Sequence, residues 1–226
     1  FRVPSVSRLF RSGSTQNTDD LKPVKSDSVE IGFRGNIKQL KYELSGYYMV
    51  KSDDIVNYID NGARKTTNAG KTLHRGIELE MNTPITDEVQ FSYAASASKH
   101  TYEDFSYVYF STTQFKNIET QFKGNTVAYT PYTTTNFELT YRPNWLKGLS
   151  TGLEWSHIGP YFTDETNTSR YGGHQFFNAR ARLKISNKLS IYGRIMNVFD
   201  KKYSVYTSNQ VGDPDISYRP GNPRSI

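Results

Sequence analysis

The chain has 226 residues, no cysteine, and 28 Lys and Arg against 22 Asp and Glu, for a net charge of +6. The lack of cysteine excludes disulfides, thiolate metal sites and a cysteine nucleophile. No apolar run approaches the roughly 20 residues a spanning helix needs, yet a mean hydropathy of −0.68 leaves room for a transmembrane β-barrel, in which only alternate residues face lipid.

Residues 1–26 read as loop, from Phe1-Arg2-Val3-Pro4-Ser5 through a polar run to Leu21-Lys22-Pro23. A first strand sets Val29, Ile31 and Phe33 against Ser28, Glu30 and Arg34, and Gly35-Asn36 reads as a tight turn. In the second, Tyr42, Leu44, Gly46, Tyr48 and Val50 oppose Lys41, Glu43, Ser45 and Lys51. Residues 52–71 are polar, carry Asn61-Gly62, and read mostly as a longer loop. The third strand sets Ile77, Leu79 and Met81 against Glu78, Glu80 and Asn82, with a turn at 83–87. The fourth sets Val89, Phe91, Tyr93, Ala95 and Ala97 against Gln90, Ser92, Ser96 and Ser98. Residues 101–125 form the longest piece without alternation and are dense in Tyr and Phe.

A fifth strand places Phe137, Leu139 and Tyr141 opposite Asn136, Glu138, Thr140 and Arg142, and turns at 143–148. A sixth places Leu149, Leu153 and Trp155 opposite Ser150, Gly152 and Glu154, and a loop follows to Gly172. The clearest stretch comes next. Phe177, Ala179, Ala181, Leu183 and Ile185 alternate with Asn178, Arg180, Arg182 and Lys184; after a break at 186–188, Leu189, Ile191, Gly193 and Ile195 alternate with Ser190, Tyr192 and Arg194. Period two gives a hairpin with one apolar and one charged face. After Phe199 the chain reads as irregular.

Short joints near 35, 84, 144 and 187 alternate with long ones after 51, 100, 157 and 199. An up-and-down barrel with short turns at one end and long loops at the other has this rhythm; a Greek-key sandwich mixes crossovers of other lengths. The fold expected is all-β: about eight antiparallel strands of a partial transmembrane barrel, with a polar inner face rich enough in charge to suit a wide or plugged lumen. Aromatic residues at 14%, with 17 Tyr and 13 Phe, suit interface girdles, and equally suit a Tyr-rich secreted β-protein. The positive charge is spread along the chain, so a nucleic-acid partner is not expected.

Four stretches carry a resemblance. Phe1-Arg2-Val3-Pro4-Ser5, Leu21-Lys22-Pro23-Val24-Lys25-Ser26 and Glu30-Ile31-Gly32 look like "FRAPS … LKPEKS … YELG". Gly76-Ile77-Glu78-Leu79-Glu80 looks like a "GxExE" strand, Asn197-Val198-Phe199-Asp200-Lys201-Lys202-Tyr203 like "NLFDKKY", and Tyr218 to Ser225 like a "PGxPRS/T" lead into a last strand. In this order they resemble the C-terminal barrel region of TonB-dependent outer-membrane receptors. The resemblance implies a barrel of about 22 strands with a plugged lumen, embedded in outer-membrane lipid. It implies active uptake of a scarce nutrient, most often a ferric siderophore, otherwise cobalamin or another nutrient. It also implies a TonB complex that acts through a plug domain lying before Phe1, and a final strand after Ile226. The chain would then be about the last third of a receptor, with two unpaired edges that keep it from closing alone. No cofactor is implied. A passive pore and a barrel enzyme are the other two readings.

In such a receptor the outer loops meet the ligand. The candidates are Tyr102, Phe105, Tyr107, Tyr109, Phe110 and Phe115, whose ring faces suit planar or catecholate ligands; packing within the loop or in a girdle is the competing role. Arg170 and Tyr171 are further candidates, beside His174, where a hydrogen bond at the lumen rim competes. The four His have no close metal-ligand spacing, so no metal site is expected. Haem receptors tend to carry a His between "FRAP" and "NPNL"; none lies between Pro4 and Leu21, and haem ranks low. Inward Glu and Arg read as lumen salt bridges rather than catalytic pairs.

Overall fold

The computed structural model describes residues 21–60, 63–68, 70–111, 114–208 and 217–226, without the side chains of 55–60, 63–67, 107–110 and 208. The Phe1–Ser5 motif and the polar run after it lie outside the described residues. Among those described there is no helix, only sixteen strands. In chain order these are β1 (Lys25–Ile37), β2 (Leu40–Ser52), β3 (Ile55–Asp60), β4 (Ala63–Asn68), β5 (Lys71–Pro84), β6 (Val89–Asp104), β7 (Ser106–Ser111) and β8 (Lys116–Gln121). They continue with β9 (Thr133–Tyr141), β10 (Leu149–Ile158), β11 (Tyr161–Phe162), β12 (Arg170–Tyr171), β13 (His174–Lys184), β14 (Ser190–Ile195), β15 (Ser204–Ser208) and β16 (Ser217–Pro220).

Eight of these form one meandering sheet in the order β1-β2-β5-β6-β9-β10-β13-β14, every pair antiparallel. Its register keeps like with like. Leu44 faces Leu79, Phe91 faces Leu139, Leu153 faces Ala179 and Leu183 faces Ile191. A slip of one residue would turn every apolar side chain to the other face. Among the described residues the apolar face has no second layer: Val29, Ile31, Phe33, Ile77 and Ile191 are each 58% to 66% exposed. Fully burying one such side chain is worth about 1.5–3 kcal/mol, so a continuous apolar face of this size requires an apolar neighbour.

The buried apolar residues lie elsewhere. Among the described residues, apart from Val24, they are Tyr102, Phe105, Phe122, Ala128 and Tyr161, all at the end of the sheet that carries the long connections. Those connections depart from the sequence expectation. Residues 52–71 hold the β3–β4 hairpin, where β-branched Ile55-Val56 and Tyr58-Ile59 pair with 64–68. The aromatic piece at 101–125 is not irregular either: β6 runs on to Asp104, and β7 pairs with β8. The loop to Gly172 carries the short β11–β12 pair, and the stretch after Phe199 carries β15–β16. Each long connection is thus a hairpin of its own.

The first turn is also displaced. Gly35 and Asn36 stay within β1, and the turn is Lys38-Gln39, with Lys38 at φ +54°. The Tyr42 ring lies across Gly35, where a Cβ would stand 2.9 Å from its hydroxyl. The missing side chain makes room for an aromatic cover, and the pairing extends by three residues, through Ile37. At the second short joint β5 runs through Pro84 before the chain turns at 85–88.

Candidate functional site

The polar face of the sheet carries a ladder of charge. Glu138 lies opposite Glu154, and Arg180 opposite Arg194; like charges so placed repel. The repulsion is relieved because Arg180 crosses β10. Its guanidinium bonds Glu138 and approaches Glu154 at 3.3 Å, while Arg194 donates to Glu154 at 2.7 Å. Gly152, opposite Arg180, makes the crossing possible, since a Cβ there would stand 2.8 Å from Arg180 Nε. These side chains are partly exposed, so each pair is worth no more than about 1 kcal/mol. The ladder sets geometry more than stability, and it is the salt-bridge arrangement expected of a lumen wall. Beside it lies a groove of about 520 Å³ whose carboxylates are Glu43, Glu80, Glu138 and Glu154.

At the long-connection end a cap is built on its own core. Tyr102 stacks on Phe105 at 4.8 Å between centroids, and both rings meet Phe122, which is completely buried. Two connections are then stapled together. Asn167, at φ +60°, accepts from Thr126 N–H at 2.7 Å and donates to Thr126 C=O at 2.9 Å. An amide side chain here imitates a strand partner. Asn125 donates to Glu165 C=O at 2.9 Å. The staple rests on Asp164, whose carboxylate accepts from Thr166 Oγ1, from Thr168 Oγ1 at 2.6 Å, and from the N–H groups of Thr168 and Ser169. Burial pushes that carboxyl up, but the four donors outweigh it and hold it below the usual range.

The sequence-read candidates divide between these surroundings. Tyr102 and Phe105 are buried in the cap core, with their ring faces against each other and Phe122. Tyr107, Tyr109 and Phe110 lie on β7, and their side chains are outside the described residues. Phe115 is 81% exposed at the far end of the β7–β8 hairpin, at φ +49°. Arg170 is exposed on β12. Tyr171 bonds His174 Nδ1 at 3.0 Å and accepts from Ser204 N–H at 3.2 Å, a hydrogen bond at the rim of the sheet. Sequence reading missed the rest of that group: Tyr203 stacks on His174 and Phe176 at 4.6 and 5.1 Å.

Tyr203 closes the Asn197–Tyr203 motif, and the fold explains that motif. Asn197 is buried; its N–H donates to Asn178 Oδ1, its amide donates to the Lys201 and Asn222 carbonyls, and its Oδ1 accepts from Lys201 N–H. Asp200 accepts from Arg224 N–H at 2.8 Å. The two C-terminal motifs are therefore halves of one joint, which brings Ser225 into a bridge with Met196 at the end of β14.

The polar face also brings together two residues that spacing kept apart. His74 and His100 are opposite in the β5–β6 register, each 13 positions from Asp87. The centre of the turn was the only signal that could have found them.

Comparisons set this arrangement beside known proteins. Residues 1–198 match the family model described as TonB dependent receptor-like, beta-barrel. Among solved structures, the siderophore receptor PiuA from Acinetobacter baumannii aligns with a TM-score of 0.73 at 19% identity, over 94% of this chain and 28% of its own. The ferric yersiniabactin uptake receptor FyuA from Yersinia pestis gives 0.69 at 16% identity, over 89% and 28%. The copper transporter OprC gives 0.72 at 19% identity, over 99% and 34%. Identities this low speak to the fold alone, and the chain spans about a third or less of each of these structures.

Proposed function

Because the chain belongs to the TonB-dependent receptor β-barrel family, we propose that it forms part of the wall of an outer-membrane receptor for active uptake of a scarce nutrient, an iron–siderophore complex foremost. The observation that carries this reading is the single-layered sheet with one exposed apolar face and one charged face. Lipid would cover the first and water the second, and only a closed barrel pairs every backbone group at that depth. The short turns and the hairpin-bearing connections then fall at opposite ends, as in barrels with long outer loops.

The wall would be completed by strands outside residues 1–226 and the lumen filled by a plug that TonB engages. The Met196–Ser225 bridge supports a further strand alongside β14. The cap would present ligand contacts on the outer side. Phe115 and Arg170, both exposed, are open to a ligand, while Tyr102 and Phe105 would give the cap its shape.

The test is uptake of radiolabelled ferric siderophores by iron-starved cells with and without the receptor, in backgrounds with and without TonB. Accumulation of at least one siderophore that needs both supports the reading. Uptake that persists without TonB would favour a passive pore; loss of the receptor with no change for any ferric siderophore would remove iron chelates as the substrate class.

A further inference from the structure

The apolar face of β5 and β6 carries two cations. Arg75 and Lys99 are directly opposite in the β5–β6 register and alternate onto the same face as Ile77 and Ala97. Both are exposed. Like charges so placed repel. Arg180 and Arg194 on the polar face are relieved by Glu138 and Glu154, but among the described residues no salt bridge reaches Arg75 or Lys99. Along this face Asp27 and Glu103 lie farther out: Asp27 is opposite Val50, and Glu103 accepts from Thr101 Oγ1 at 3.1 Å. Tyr48, 52% exposed, is next in the row, paired with Arg75 across β2 and β5. One row nearer the short turns, Gly46, Ile77 and Ala97 are successive partners. A groove of about 740 Å³ runs over them, walled by Val29, Ile31 and Tyr132. A Cβ at Gly46 would meet nothing closer than 3.8 Å, so no neighbour needs the space that the glycine leaves.

We propose that Tyr48, Arg75 and Lys99, with the groove beside them, bind a phosphorylated lipid of the outer leaflet: its phosphate between the two cations, one acyl chain over Gly46 and Ala97. Opposite residues on paired strands have Cβ atoms about 4.5–5.5 Å apart, a spacing that one phosphate bridges. The Arg75 fork suits two phosphate oxygens, the Lys99 ammonium is a point charge beside it, and the Tyr48 hydroxyl is a further donor. A cation on the lipid face is costly at the midplane and nearly free at the interface, and the long stems of Arg and Lys lie along apolar surface while their heads reach outward. With the long connections outermost, those heads meet the outer leaflet. A neutral lipid would leave both cations uncompensated, and a free phosphate would leave the groove empty; a phosphorylated acyl lipid fills both. The site rests on the apolar face meeting the membrane, and not on what the receptor carries.

The whole receptor, purified in detergent, is titrated with diphosphoryl lipid A, and the lipid retained per chain is followed by native mass spectrometry. Arg75→Gln and Lys99→Gln should each weaken retention about fivefold, and the double variant about 25-fold. Gly46→Leu keeps both cations and fills the groove; it should weaken lipid A at least about fourfold, the equivalent of one CH₂ left unburied. Arg182→Gln, which removes a cation from the polar face, serves as the control and should change nothing. Equal retention by the wild type and the double variant, or an equal loss in the control, would overturn the site. Displacement of lipid A by equimolar inorganic phosphate would overturn the acyl groove, and equal affinity for phosphatidylglycerol would overturn the outer leaflet as the source. Heat-modifiable migration on gels shows which variants fold. One comparison needs no variant: lipid A stripped of its phosphates should bind the wild type at least as weakly as lipid A binds the double variant. A wild-type receptor that folds into lipid vesicles yet retains no lipid A would overturn the site and leave the membrane-facing reading of the sheet standing.

Discussion

The sheet and its cap solve the same problem in opposite ways. The sheet has eight long strands, no buried apolar layer among the described residues, and an apolar face left open to its surroundings. The cap has short strands and polar sequence, yet it holds nearly all the buried rings and the densest side-chain hydrogen bonding. The sheet takes its order from solvent, because each residue needs only the correct face. The cap takes its order from particular partners. A change of side-chain class should therefore matter most in the sheet, and a change of shape most in the cap.

Phe122→Ala should give the largest effect. Removing a fully buried ring costs about 3–5 kcal/mol, and here the loss falls on the Tyr102–Phe105–Phe122 core alone. Limited proteolysis of the whole receptor in detergent should show the 101–133 connection cut at least ten times faster. Heat-modifiable migration of the barrel should be unchanged. A barrel that falls apart with the cap would mean that the two regions are one cooperative unit.

Ile77→Arg comes next. Ile77 is at the middle of β5 and 59% exposed on the apolar face. An arginine near the bilayer midplane of a barrel costs about 2–4 kcal/mol, and folding into lipid vesicles measures it by denaturant titration. Ser96→Arg, across the hairpin from Glu78 on the polar face, should cost less than 1 kcal/mol. Equal costs for the two would show that the apolar face does not meet lipid.

This contrast also explains what could be read from the sequence. All eight sheet strands were legible, because Phe177 to Ile195 and its companions repeat one rule with a period of two. Their ends were less so: Gly35-Asn36 has turn chemistry, and only the Tyr42 ring lying over Gly35 explains why the strand continues. The cap hairpins were illegible because both faces of β3–β4 and β7–β8 mix polar and apolar residues, which leaves no alternation to count. Aromatic density at 101–125 suggested ligand contact, yet two of those rings, Tyr102 and Phe105, are needed for packing. Asn197 and Asn222 were visible as motif letters, but their joint exists only once 25 residues of chain have folded back. His74 and His100 depended on a turn centre that the sequence placed only within a few positions.

Asp164 offers the smallest and most local test. Its carboxyl is held below the usual range, so by linkage it stabilises the cap at any pH above its unfolded value, about 3.9. That contribution is lost only as pH falls further, through the lower folded value. The fold of the 159–173 connection should therefore be insensitive to pH from neutrality down to about 4 and loosen below it, followed by pulsed hydrogen exchange at the amides of Thr168 and Ser169. Asp164→Asn keeps the shape but loses the charge that four donors converge on, so two hydroxyls and two N–H groups meet a weaker acceptor. The variant should exchange faster at neutral pH and show no further change on acidification. Exchange that accelerates in acid equally in both proteins would place the titrating group elsewhere, and the staple would then owe its strength to Asn167 and Thr126 alone.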